Sequence, residues 1–180
     1  MYKEDFDNAY YRSCSFNLQA PTINYTDKLF LTEELKCDLQ ELIAEEFGRV
    51  NPQELSANCL AFHLKLKPFF EKILSSEIYF TIGYVTCKGQ EFFHLDDSDI
   101  TELLKNGIND KVDFHAWLTL PSMEIIDLTF LTTFAIRYNI EECMGGLILS
   151  QADKLKGEMK FIPILIGDEF LSKIGAYKTL

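Results

Sequence analysis

The chain has 180 residues, 47% of them hydrophobic and 25% charged, a composition that supports a packed core and excludes a disordered polypeptide. Its 28 acidic residues outnumber 17 basic ones, for a formal net charge of -11. Such a charge repels phosphate backbones and anionic lipid surfaces, so neither nucleic acid nor membrane is expected as a partner, and its main expected effect is solubility.

Residues 1–30 are polar and aromatic without a clear period, and are expected as a loosely packed arm or as a strand and loop laid over the core. Thr32-Glu33-Glu34 starts a helix whose stripe is Leu35, Leu39, Leu42 and Ile43 and whose stop is Gly48. Asn51-Pro52 reads as a cap and first helical position, leading through a short turn to Cys59. The next helix runs from Cys59 into the seventies, and Pro68 predicts a kink or restart, because an interior proline costs about 3 kcal/mol or more. A buried strand over 78–85, with Gly83 inside it, is joined by Cys87-Lys88-Gly89 to a second strand over 90–94. Asp97 or Ser98 is expected to cap a short helix ending near Gly107. A hairpin of strands at about 112–119 and 123–127 follows, then a helix over 128–138, strands over 146–149 and 159–166, and a last short helix opened by Asp168. No linker, repeat or low-complexity stretch divides the chain, so residues 1–180 are expected as a single domain. Helices first and mainly antiparallel strands after them predict an α+β fold.

Five cysteines occur, at positions 14, 37, 59, 87 and 143, with no CxxC pair. A zinc ribbon, a redox pair and a secreted disulfide framework are therefore not expected. Met1-Tyr2-Lys3-Glu4-Asp5 does not read as a signal peptide, and no apolar run reaches spanning length. A cytoplasmic protein is expected, with export by a route that needs no signal peptide left open.

Three residues in chain order carry the chemistry: Cys59, His115 and Asp127. Cys59 falls in the first turn of its helix, where unpaired N–H groups and the helix dipole favour an anion. An imidazole beside a thiol can take its proton, and a carboxylate on the far side of the ring holds the tautomer. His115, Trp117 and Thr119 share one strand face. A hairpin loop of Leu120-Pro121-Ser122 sets His115 directly opposite Asp127, whereas a two-residue loop pairs Asp127 with Ala116 and turns it away. Asp127 is equally placed to cap the helix that follows it. Taken singly, Cys59 reads as a buried inert cysteine and His115 as a packed strand histidine; their order together is what points to catalysis.

Asn58-Cys59-Leu60, Leu66-Lys67-Pro68-Phe69-Phe70-Glu71, Phe80-Thr81-Ile82-Gly83-Tyr84-Val85, Phe114-His115-Ala116-Trp117 and Ile125-Ile126-Asp127-Leu128-Thr129 together resemble the transglutaminase-like branch of the papain-like cysteine enzymes. The resemblance runs from about Gln53 to Thr129 and leaves both termini uncovered. It implies N-terminal helices packed on a mainly antiparallel sheet, with Cys59 as nucleophile, His115 as general base and acid, and Asp127 as orienting group. It also implies an oxyanion hole from the Cys59 N–H and the side chain of Gln53, six residues before the nucleophile. The chain departs from papain in having no Gly-rich, Trp-flanked cysteine segment, and it lacks the extra domains of large transglutaminases and arylamine acetyltransferases. The implied reaction is acyl transfer from a carboxamide or peptide bond, as peptidase, amidase, glutamine deamidase or transglutaminase. Its substrate would be a protein, a peptide or a small amide, and no cofactor or metal is called for. The alternative is a non-catalytic binding or regulatory module on the same fold.

Other groupings are weaker. His63 lies four residues after Cys59 on the same helical face, but a Cys/His metal pair lacks further well-spaced ligands. His94-Leu95-Asp96-Asp97 offers cation ligands, though its aspartates read more simply as a solvated turn and a helix cap. Asp110-Lys111-Val112-Asp113 reads as surface, and Gly145-Gly146 is too short for a phosphate loop.

Overall fold

Strand β1 (Tyr79–Cys87) is nine residues long, and both of its edges are used. Along one edge it pairs with β6 (Lys160–Ile166). Along the other it pairs first with β3 (His115–Thr119) and then, across the Lys88-Gly89 turn, with β2 (Gln90–Phe92). Beyond β3 lie β4 (Glu124–Asp127) and β5 (Ile148–Gln151), and every pairing is antiparallel. Among the described residues, six α-helices surround this curled sheet: α1 (Tyr2–Ser15), α2 (Glu33–Phe47), α3 (Cys59–Leu74), α4 (Asp97–Asn106), α5 (Phe130–Tyr138) and α6 (Glu169–Lys173). The chain is thus α+β. These elements come from a computed structural model that describes residues 1–48, 51, 58–108 and 113–176. Gln53, the rest of the expected turn over 52–57, and positions 110–112 lie outside the described residues. Among those described, no helix is long and apolar enough to cross a membrane.

Strand alternation splits the core in two. Phe80, Ile82, Ala116, Leu118 and Ile126 face Leu60, Leu66 and Phe70 of α3. Tyr79, Trp117, Ile125 and Phe161 face the other way, towards Tyr2, Phe6 and Ala9 of α1. The start of the chain is therefore no arm: residues 2–15 are a helix packed on β6. Only the segment after it, with Asn24 N–H on the Tyr79 hydroxyl (2.8 Å) and Thr26 N–H on the Pro121 carbonyl (3.2 Å), is laid over the sheet as a connection.

Several local expectations hold. Thr32 caps α2 by accepting the Leu35 N–H, and Gly48 ends it with φ 78°. Two differ. Helix α3 continues through Pro68 to Leu74 without a restart, since its buried face of Leu60, His63, Leu66 and Phe70 keeps helical spacing across the proline. The cap of α4 is Asp96, not Asp97 or Ser98: its carboxylate accepts the N–H groups of Ser98 (2.8 Å) and Asp99 (2.9 Å).

Candidate active site

The β3–β4 hairpin brings His115 and Asp127 to one end, because His115 is the first residue of β3 and Asp127 the last of β4. Its register differs from the one expected. Leu118 pairs with Ile126 and Thr119 with Ile125. The loop is Pro121-Ser122-Met123, closed by Leu120 N–H to Glu124 O and Met123 N–H to Leu120 O, both 2.9 Å. The reason is Pro121. Its fixed φ suits the first central position of the turn and is disfavoured at the second, which a Leu120-Pro121-Ser122 loop would have required. The turn slides by one residue and every cross-strand partner by two. Continued along the strands, this register sets Asp127 opposite Trp117 and diagonal to His115. A two-residue slide keeps the face unchanged, so the pair still meets.

The contact is direct. His115 Nε2–H donates to Asp127 Oδ2 at 2.5 Å, with the two residues 0% and 1% exposed. The other carboxylate oxygen, Oδ1, accepts from the N–H of Thr129 (2.8 Å), the N–H of Phe130 (2.9 Å) and the Thr129 hydroxyl (3.1 Å). Asp127 therefore orients the imidazole and ties down the start of α5 at once, one oxygen for each task.

The His115 ring is enclosed by aromatic rings. Phe93 stacks on it at 4.9 Å between centroids, Trp117 at 6.0 Å, and Phe130 and Phe161 stand at 5.8 and 6.3 Å. Trp117 is in turn pinned from below. Its indole N–H donates to the Tyr2 hydroxyl (2.8 Å), which pairs with the Thr119 hydroxyl (2.7 Å). The first turn of α1 thus supports the floor of the site.

Cys59 opens α3 and is half-buried, while His115 behind it is fully buried. The Cys59 sulfur lies near enough to the imidazole to favour its protonated form. Nδ1 of His115 is a buried nitrogen with no hydrogen-bond partner among the described residues. With Nε2 committed to Asp127, Nδ1 is the nitrogen left for the thiol. Burial pushes the His115 pKa down, but the Asp127 carboxylate, through charge and hydrogen bond, and then the Cys59 sulfur outweigh it and raise it. For Asp127, burial favours the neutral acid, yet His115 first, then His63 and the Thr129 N–H, hold the carboxyl well below its ordinary value.

One residue of the cluster is absent from the sequence-based triad. His63, one turn along α3 and fully buried, packs edge-on to His115 at 6.3 Å. Its Nδ1 meets the Cys59 carbonyl at 2.9 Å, its Nε2 meets the Leu128 N–H at 3.2 Å, and Asp127 Oδ1 lies 3.7 Å from Nε2. Both ring nitrogens are directed at backbone groups, not at the Cys59 thiol as a shared metal ligand. Burial pushes its pKa down to about 4 against the pull of Asp127. The i, i+4 spacing from Cys59 was the available sign; the partner at Leu128 was not.

At the other grouping, His94 Nδ1 contacts Glu91 (2.6 Å) and Asp97 pairs with Arg12 (3.0 Å), while Asp96 serves as the cap of α4. Compared with known proteins, the chain matches no family model, no curated protein and no solved structure.

Proposed function

We propose that this chain is a thiol-dependent acyl-transfer enzyme with a transglutaminase-like fold, acting on a carboxamide or peptide bond through Cys59, His115 and Asp127. One observation carries the reading. His115 holds one nitrogen on Asp127 at 2.5 Å and keeps the other buried, unpartnered and beside the Cys59 sulfur. A ring held this way accepts a proton at Nδ1 and is stabilised as imidazolium by the carboxylate behind it.

The chemistry then balances with these groups alone. With the Cys59 proton held on His115 Nδ1, where the raised pKa favours the imidazolium, the thiolate sulfur adds to the carbonyl carbon to give a tetrahedral oxyanion. The N–H groups of the first turn of α3 lack intrahelical acceptors and face that developing charge favourably; Gln53 is proposed as the second donor. Collapse breaks the C–N bond, the leaving amine takes the proton from His115, and a thioester remains on Cys59. Water, activated by His115, hydrolyses the thioester to a carboxylic acid and restores the thiol; an incoming amine would give a new amide instead. The proposed substrate is a protein, a peptide or a small amide, and the proposed location is the cytoplasm.

The full burial of His115, Asp127 and His63 favours one second reading, a non-catalytic module in which the cluster is a hydrogen-bonded core. Substoichiometric iodoacetamide labelling with peptide mapping separates the two, with exposed Cys14 and Cys37 as internal controls. The enzyme reading expects Cys59 to be alkylated faster than both controls at neutral pH, and the Cys59→Ala protein to lose that fast phase. Equal fast labelling of the two proteins, or a Cys59 slower than the controls, removes the nucleophile.

A further inference from the structure

Two histidines flank Asp127, and the geometry gives them opposite roles. His115 takes the carboxylate at 2.5 Å, whereas the nearest nitrogen of His63 stands 3.7 Å from it, beyond hydrogen-bonding reach. The polar contacts of His63 within that reach go to main-chain groups. The Cys59 carbonyl has no proton to give, so Nδ1 must donate; the Leu128 N–H has no lone pair to give, so Nε2 must accept. Both bonds are satisfied together only by the neutral imidazole with its proton on Nδ1. Protonating Nε2 would set two donors face to face at 3.2 Å in a site closed to water.

The two main-chain groups are well chosen. Cys59 O belongs to the residue that carries the sulfur, and Leu128 N belongs to the residue that follows Asp127. No covalent path shorter than the chain between 59 and 128 links them. We infer that His63 is a positioning residue for this site, a neutral imidazole strut that sets the first turn of α3 against the end of β4 and so fixes where the sulfur stands relative to His115. The inference rests on the proposed nucleophile role of Cys59 and adds to it the part that keeps nucleophile and orienting carboxylate in register. Placement errors of about 1 Å between reacting groups can cost about a hundredfold in rate, so loss of such a strut should be visible in reactivity before it is visible in fold.

Two measurements on the full chain test this. In ¹⁵N-histidine-labelled protein at pH 7, the two-bond nitrogen–hydrogen correlation pattern reports the tautomer. His63 is expected neutral with Nδ1 protonated; an Nε2–H tautomer or an imidazolium overturns the inference. Second, the rate of Cys59 alkylation by iodoacetamide is followed from pH 5 to 9 in wild type, His63→Gln and His63→Leu, with circular dichroism confirming the fold. Gln places an acceptor near the position of Nε2 and is expected to keep a rate close to wild type, while Leu is expected to lose about tenfold or more. A folded His63→Leu protein with the wild-type rate and pH profile overturns the inference. If His63→Leu does not fold, the tautomer decides alone. An unreactive wild-type Cys59 would sink the enzyme reading while leaving the tautomer measurement intact, so the two failures are distinguishable.

Discussion

Asp127 shows how one side chain can answer two demands. Its Oδ1 serves Thr129 and Phe130 while its Oδ2 serves His115, so the carboxylate is fully occupied and fully buried. Asparagine is nearly the same shape but has one donor and one acceptor end. If its oxygen keeps the two backbone N–H groups, its NH₂ faces His115 Nε2 and forces the proton onto Nδ1, where it can no longer accept one from sulfur. If it flips, the start of α5 loses its acceptor. Asp127→Asn is therefore expected to fold and to alkylate at Cys59 at least about tenfold more slowly at neutral pH, since a carboxylate beside an imidazolium is worth about one pKa unit or more. An unchanged rate would show that Asp127 is only a cap. The three residue types and their order could be read from the sequence. The place of His63 beside Cys59 could be read too, but its role could not, because its second partner is a main-chain N–H 65 residues away, and backbone partners leave no trace in residue identity.

Strand β1 depends on a missing side chain. A Cβ on Gly83 would stand 2.0 Å from the Ile162 carbonyl oxygen and 2.8 Å from Trp117 Cη2. Gly83 also marks the irregularity in the β1–β6 pairing and lies opposite His115. The obstructing atom is backbone, so relief requires β6 to move. Gly83→Ala is expected to destabilise by about 3 kcal/mol or more, at the upper end of overpacking costs, and a lowered thermal midpoint checks it; a shift under 1 °C would contradict the close approach. That Gly83 sits inside a strand was legible in sequence, as was the cap of α2. The hairpin register was not, because Pro121 fixes a turn position and not a loop length. Helix α1 is hard to read in the sequence for a related reason. Its buried Tyr2, Phe6, Ala9 and Ser13 do keep helical spacing, but Tyr10 and Tyr11 outside that set blur the stripe, and the burial comes from β6, about 150 residues downstream.

For the whole molecule, the buried histidines make stability depend on pH in opposite senses. His63 has its folded pKa pushed from 6.5 down to about 4, so its contribution is present above 6.5 and is lost as pH falls from there towards 4, a loss of about 3 kcal/mol. His115 has its folded pKa raised above 6.5, so its contribution is full below 6.5 and is lost as pH rises through the folded value. Asp127, held low, adds a further loss at acid pH below its ordinary 3.8. Denaturant unfolding from pH 4 to 9 is expected to give a maximum near pH 6.5, and His63→Gln to flatten the acid side; a curve still rising at pH 8.5 would contradict the assignment for His115.

Helix α1 lies against β6, and its Tyr2 hydroxyl holds the Trp117 indole beneath His115. A chain is synthesised from its amino end, so α1 is made before the surface it docks on, at 160–166. Cys59, His115 and Asp127 are all synthesised before that surface exists. The support beneath His115 is therefore completed only after the side chains it serves have been made.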